Sequence, residues 1–175
     1  GETDDGSFFG SLAGELPGPP VQAFYVYNCN PAAVAPNQAK VVQGLLRDDL
    51  FTVVHELFAT DTVDYADIVL PATSQLEHED IHGSYGHYEV MHNARAIEPL
   101  HQAKCNADVF RALAARMGFE PELFPDDATL IREALGGGPN VRAIAPDDLR
   151  QRHSIRMGLP DVFMPYATGG FRTPS

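Results

Sequence analysis

Thr60-Asp-Thr-Val-Asp-Tyr-Ala-Asp-Ile-Val-Leu-Pro-Ala-Thr-Ser-Gln-Leu-Glu77 decides how this chain folds. Thr60 or Asp61 offers the side-chain oxygen that a helix N-terminus needs, so it caps a brief helix. Asp67-Ile-Val-Leu70 follows as an apolar strand. Pro71 then opens a polar loop that runs to the carboxylate of Glu77, because proline cannot donate to a continuing ladder. Upstream, Phe51-Thr-Val-Val54 reads as a short buried strand, and Val21-Gln-Ala-Phe-Tyr-Val-Tyr27 as a β-branched and aromatic one. Between them Pro36-Asn37 opens a helix to about Asp48, with Val41, Val42, Leu45 and Leu46 as one apolar stripe. Strands alternating with helices at this spacing predict a parallel, helix-covered sheet.

Downstream the pattern loosens. Residues 71–105 read as irregular, with Tyr88-Glu-Val-Met91 as an extended piece able to pair. Asn106 caps the next helix, whose core face is Val109, Phe110, Leu113, Ala114 and Met117, and Gly118 ends it. A helix from about Asp127 to Leu135 is stopped by Gly136-Gly-Gly, and Asp147 starts a last one. Residues 1–20, with five glycines and three prolines, read as a flexible lead-in, and the Gly- and Pro-rich chain from Ser154 onward as a linker. There is no internal repeat.

Composition narrows the partners. The 175 residues suffice for a real core, and 44% are apolar. A net charge of −12 disfavours phosphate backbones and anionic lipid surfaces, so nucleic acid is not an expected partner. No apolar run approaches the roughly 18 residues of a membrane helix, so no membrane insertion is expected. The start Gly-Glu-Thr-Asp-Asp-Gly does not read as a signal peptide. Two cysteines, Cys29 and Cys105, cannot alone build a zinc or iron–sulfur cage and fit a reducing, cytoplasmic setting.

The opening segment resembles one family. Molybdopterin-dependent oxidoreductases of the dimethyl sulfoxide reductase type carry, in a nucleotide-binding domain, hydroxyl residues ahead of Ala-Asp-Ile/Val-Val-Leu-Pro-Ala and a later Glu. The Tyr27-Asn-Cys-Asn-Pro31 loop and the Asn106-Ala-Asp-Val-Phe-Arg-Ala-Leu-Ala-Ala-Arg-Met-Gly118 helix match in the same order. The resemblance covers roughly Val21 to Phe119. It implies an α/β, Rossmann-like parallel sheet with helices on both faces, an incomplete domain cut from a larger enzyme. The divisions expected are a lead-in over 1–20, a cofactor-binding domain over 21–119, a helical extension over 120–153, and a linker over 154–175 toward a C-terminal barrel domain. The cofactor implied is molybdopterin guanine dinucleotide with molybdenum. The metal ligand and an iron–sulfur cluster would lie elsewhere in the parent, whose remaining domains are the expected partners. This stretch would then hold no catalytic residue and be inactive by itself.

An open parallel sheet binds ligands beyond the carboxyl ends of its strands. Those ends here are Asn28–Pro31, His55–Glu56 and Pro71–Ser74, all polar directly after apolar strands. A carboxylate at a strand end, Glu56, can accept two parallel N–H bonds, a pair that the guanine edge offers and adenine does not. The resemblance implies that Glu56 meets the guanine, Asn30 reaches the nucleotide from the first loop, His55 sits beside ribose or phosphates, His78 contacts phosphate, and Asn106 binds near the guanosine. The chain departs from the family in having His78 where a cation is common and Asp80 where glycine is common, and it has no Gly-x-Gly-x-x-Gly.

A different chemistry is written in His78-Glu79-Asp80-Ile81-His82. On a helix, imidazoles at i and i+4 share a face and can grip zinc, with Glu79 as general base. Five of the seven histidines lie between 78 and 101. This alternative, a zinc-dependent hydrolase, requires a helix where Gly83 and Gly86 follow at once. A structural domain without cofactor is the third reading.

Overall fold

The computed structural model describes residues 19–160, 162–164, 166, 167 and 170. The expected lead-in therefore falls outside the described residues, except for its last two positions. The chain forms two compact units. One comprises the described residues up to Ser74 with Pro99–Val109; the other comprises Gln75–Glu98 with the described residues from Phe110 onward.

The first unit is a parallel three-stranded sheet in the order β1 (Ala23–Tyr27), β2 (Phe51–Glu56), β3 (Ile68–Pro71). Tyr27 stands beside His55, and His55 beside Leu70, so all three strands deliver their carboxyl ends to one edge. Two helices, α1 (Pro31–Val34) and α2 (Gln38–Leu45), cross over between β1 and β2. Ala32, Val41, Leu45 and Leu50 form the core, with Val21, Phe24, Ala35 and Tyr65 packed against it. Full burial of one such Val or Leu stabilises the unit by about 1.5–3 kcal/mol. Leu46, expected on the same stripe, is 65% exposed, because helix α2 stops at Leu45 rather than near Asp48. Helix α1 was not legible in the sequence: it is a single turn started by Pro31, whose missing N–H costs nothing at a first helical position.

The Thr60–Glu77 stretch builds this sheet in detail. Asp61–Tyr65 is a 3₁₀ turn. Asp67 then joins β2 to β3 twice: its N–H donates to the Thr52 carbonyl at 2.9 Å, and its Oδ2 accepts from the Thr52 N–H at 2.7 Å. Beyond β3, Lys104 adds a one-residue parallel bridge at Ala72.

The second unit holds an antiparallel sheet of β4 (Asp80–His82), β5 (Glu89–Asn93) and β6 (Ser154–Arg156), in that order. The expected extended piece at 88–91 is thus a paired strand. The stretch 71–105 is more regular than anticipated, and Ser154–Arg156, expected as linker, is a strand. Helices α3 (Asn106–Met117), α4 (Asp127–Gly137) and α5 (Pro146–Arg152) complete the chain, α3 starting in the first unit and ending in the second. Val90, Ile131, Leu135, Ile144 and Leu149 form the second core, joined by Ile81, Val141, Ile155 and Met157. On α3, Val109 and Ala114 are buried as expected, but Met117 is 70% exposed. Gly118 ends that helix at φ +76°, with the Phe119 N–H returning to the Ala114 carbonyl at 3.0 Å. Asp126 caps α4, accepting from the Thr129 N–H at 2.8 Å.

Candidate functional site at the sheet edge

The edge at the carboxyl ends of β1, β2 and β3 gathers Asn30, His55 and Glu56. Asn106 lies two residues beyond Lys104, on the segment that bridges to Ala72. His78 belongs to the second unit.

Asn30 is held by the 3₁₀ turn. Its Oδ1 accepts from the Thr62 N–H at 3.2 Å and from the Thr62 hydroxyl at 2.7 Å, and its Nδ2 donates to Asp61 Oδ2 at 3.1 Å. Thr62 is fully buried, and its Oγ1 also accepts from the Ala32 N–H at 3.1 Å. The hydroxyl residues of the opening stretch therefore shape the first loop. The second Nδ2 hydrogen is what Asn30 can offer a ligand.

Glu56 ends β2 half-buried, and its Oε1 accepts from the Leu57 N–H at 2.7 Å. That bond uses one of about four lone-pair sites on a carboxylate, so the group is oriented and still able to accept. His55 points the other way in the pleat and is wholly buried. Its Nε2 lies 3.3 Å from the Lys104 carbonyl oxygen. Burial pushes the imidazole's pKa below its ordinary value, against the opposing pull of the Lys104 carbonyl and the Glu56 charge. Asn106 is the first residue of α3, partly buried, and the Cys105 carbonyl receives the helix's first bond from Val109 at 3.1 Å. Cys105, not Asn106, thus occupies the cap position expected for Asn106.

His78 is partly buried, with Nε2 4.0 Å from Asp80 Oδ2. The loop around it is tied down by Asn93, whose Nδ2 donates to the Gln75 and His78 carbonyls at 2.7 and 2.9 Å. The zinc alternative fails on geometry: Asp80–His82 is a strand paired with β5, so His78 and His82 do not share a helical face. Among the described residues no group of three or more His, Cys, Asp or Glu is arranged to hold a metal ion. Glu79, the base of that reading, is occupied instead by His92 at 2.9 Å and Arg150 at 3.0 Å. The bond from His92, then that from Arg150, holds its carboxyl below the usual carboxylate range. This network joins residues 13 and 71 positions apart, and no local spacing announces it.

A small cavity of about 130 Å³ is lined by Arg111, Ala114, Ala115, Phe119, Pro121 and Phe124. It is below the roughly 300 Å³ at which ligand sites begin. Among the described residues no helix is long and apolar enough to cross a membrane.

A family model described as molybdopterin oxidoreductase matches residues 8–116. A probable oxidoreductase of Bacillus subtilis, YoaE, is 46% identical over 160 residues, which is 90% of this chain and 23% of that protein. The dimethyl sulfoxide/trimethylamine N-oxide reductase of Rhodobacter capsulatus is 33% identical over 102 residues, 57% of this chain and 12% of that protein. Acetylene hydratase from Pelobacter acetylenicus superimposes with a TM-score of 0.69 at 27% identity, covering 94% of this chain and 22% of that structure. The chain thus spans under a quarter of the length of each of these relatives.

Proposed function

This chain belongs to the molybdopterin oxidoreductase family, and from that premise we propose that its sheet edge holds the guanosine end of a molybdopterin guanine dinucleotide. The observation that supports this is Glu56, an oriented carboxylate at the carboxyl end of the central strand. Guanine presents two adjacent N–H donors, and a carboxylate is the side chain that accepts both. Asn30 contributes its remaining amide hydrogen from the first loop, and Asn106 a second amide from the start of α3. His55 belongs to the edge by position. His78 carries a phosphate contact on the resemblance alone.

When bound, the cofactor supplies the redox chemistry through its molybdenum. The residues of this chain bind and orient its nucleotide end and transfer no proton or electron. The whole protein is an oxidoreductase, with further domains carrying the metal ligand and an iron–sulfur cluster. Its two cysteines, Cys29 and Cys105, suit the reducing cytoplasm. Strand β3 supports the partnership with further domains: Ile68 and Val69 are 44% and 47% exposed, whereas strands of parallel sheets are ordinarily covered on both faces.

The test measures pterin and GMP released per folded intact protein for wild type, Glu56→Asp, Glu56→Gln and Glu56→Ala. Ala leaves two guanine donors unpaired, and Gln presents a donor to a donor. Each lost bond costs about 1–3 kcal/mol, so both variants lose cofactor, while Asp retains more. Full retention in Ala and Gln removes Glu56 from the guanine. Release of pterin without GMP removes the dinucleotide.

A further inference from the structure

We infer that His55 is a positioning residue that never touches the nucleotide: a neutral imidazole protonated on Nε2, which fixes the Lys104 carbonyl and through it the start of α3 at Asn106. The inference rests on the proposed nucleotide site and assigns one of its members a different task.

Three observations carry it. First, the imidazole is wholly buried at the end of the central strand, so it presents no atom to a ligand lying on the edge. Second, its Nε2 faces a carbonyl oxygen, which only accepts, so Nε2 carries a hydrogen. The same oxygen accepts from the Thr73 N–H at 3.3 Å, and the Lys104 N–H donates to the Pro71 carbonyl at 3.1 Å. Both lone pairs of the Lys104 carbonyl are thereby filled, and the segment ahead of α3 is fastened to β3 and β2 together. Third, Nδ1 is buried with no hydrogen-bond partner among the described residues. As a bare lone pair it is a neutral acceptor left unpaired. As a charged N–H it would be an unpaired buried donor, the more expensive state.

These constraints select one species out of three. The tautomer with hydrogen on Nδ1 would set two lone pairs against each other at Lys104. The imidazolium would bury a charge, and Glu56, its neighbour in the strand, projects to the opposite side of the pleat. The neutral Nε2–H form satisfies the site. A glutamine at this position could present its amide N–H in place of Nε2–H. A leucine could fill the volume without donating.

The test has two arms, both on the intact protein. Histidine-selective ¹⁵N NMR, with the His55 signals assigned by their loss in His55→Gln, reads the tautomer. The expected signals are a protonated Nε2 and a bare Nδ1 that persist below the ordinary histidine value of about 6.5. A protonated Nδ1, or titration at the ordinary value, overturns the inference. The second arm measures pterin nucleotide retained by folded protein after extended dialysis. His55→Leu should retain roughly three- to tenfold less than wild type, the effect of one lost hydrogen bond, and His55→Gln should recover most of it. Equal retention in His55→Leu and wild type overturns the inference, as does failure of Gln to rescue. Wild-type protein that carries no pterin nucleotide, with the NMR arm as expected, instead overturns the proposed site.

Discussion

The hydroxyl of Thr62 stands 2.7 Å from Asn30 Oδ1 and donates to it, while accepting from the Ala32 N–H at 3.1 Å. One side chain thus closes the loop after β1 onto the turn before β3, across more than 30 residues of chain. Thr62→Val keeps the shape and removes both bonds. It leaves a buried N–H without its partner, so we expect a loss of about 1–3 kcal/mol in stability, and Thr62→Ser should restore most of it. Urea denaturation of the intact protein checks both. A Thr62→Val variant as stable as wild type would show that the clamp is incidental.

Asp67 fixes the register of β3 on β2 through its two bonds to Thr52. Asp67→Ala removes the charge-assisted one, for a loss of about 1.5–3 kcal/mol. Asp67→Asn retains an acceptor oxygen and should lose less. Melting temperatures of the pair rank the two; the reverse order would place the role of Asp67 elsewhere.

Gly118 sits at φ +76°, and a Cβ built there meets nothing within 4 Å. Gly118→Ala therefore incurs only the backbone penalty of the left-handed region, roughly 1–2 kcal/mol. Gly118→Asn should cost less, since Asn visits that region more readily. A larger loss would mean that α3 ends against something its surroundings do not show.

Two groups contribute to the acid response with signs that can be worked out. His55 has a folded pKa below its unfolded value of about 6.5. The unfolded chain therefore takes up a proton first as pH falls, and stability declines below about pH 6.5 until the folded pKa is passed. His55→Gln removes that decline. Glu79 has a folded pKa below the ordinary carboxylate value of about 4.3. Its contribution is complete above that value and is lost as pH falls through the folded pKa, so Glu79→Gln flattens the profile only in the more acid range. Unfolding free energies measured from pH 7 to pH 3 on the intact protein separate the two; identical profiles for wild type and both variants would refute both assignments.

The first unit was largely readable in the sequence because its information is local. Val21–Tyr27, Phe51–Val54 and Asp67–Leu70 are short apolar, β-branched or aromatic runs bounded by polar turns, a pattern consistent with strands buried in a parallel sheet. Glu56 was singled out by its place at the end of β2 and Asn30 by the family resemblance, and the nucleotide contacts of both are proposals. The misses share a cause of the opposite kind. Ser154–Arg156 has one apolar residue between two polar ones and becomes a strand only because Val90 pairs with Ile155. Glu79 was read within His78–His82, but its partners His92 and Arg150 are brought to it by tertiary folding. The burial of His55 could not be seen beside Glu56 in the sequence, since alternation in a strand says that two neighbours face opposite ways but not which of them faces inward.

Strand β3 has a further consequence for handling the protein. Among the described residues its outer edge is paired only through Lys104, at Pro71 and Ala72, and Ile68 and Val69 are half uncovered. An apolar strand with an open ladder accepts any extended peptide that reaches it, another copy of itself included. Produced as these 175 residues and nothing more, the protein should therefore self-associate through β3 as its concentration rises, and a lysine introduced at Val69 should delay that association.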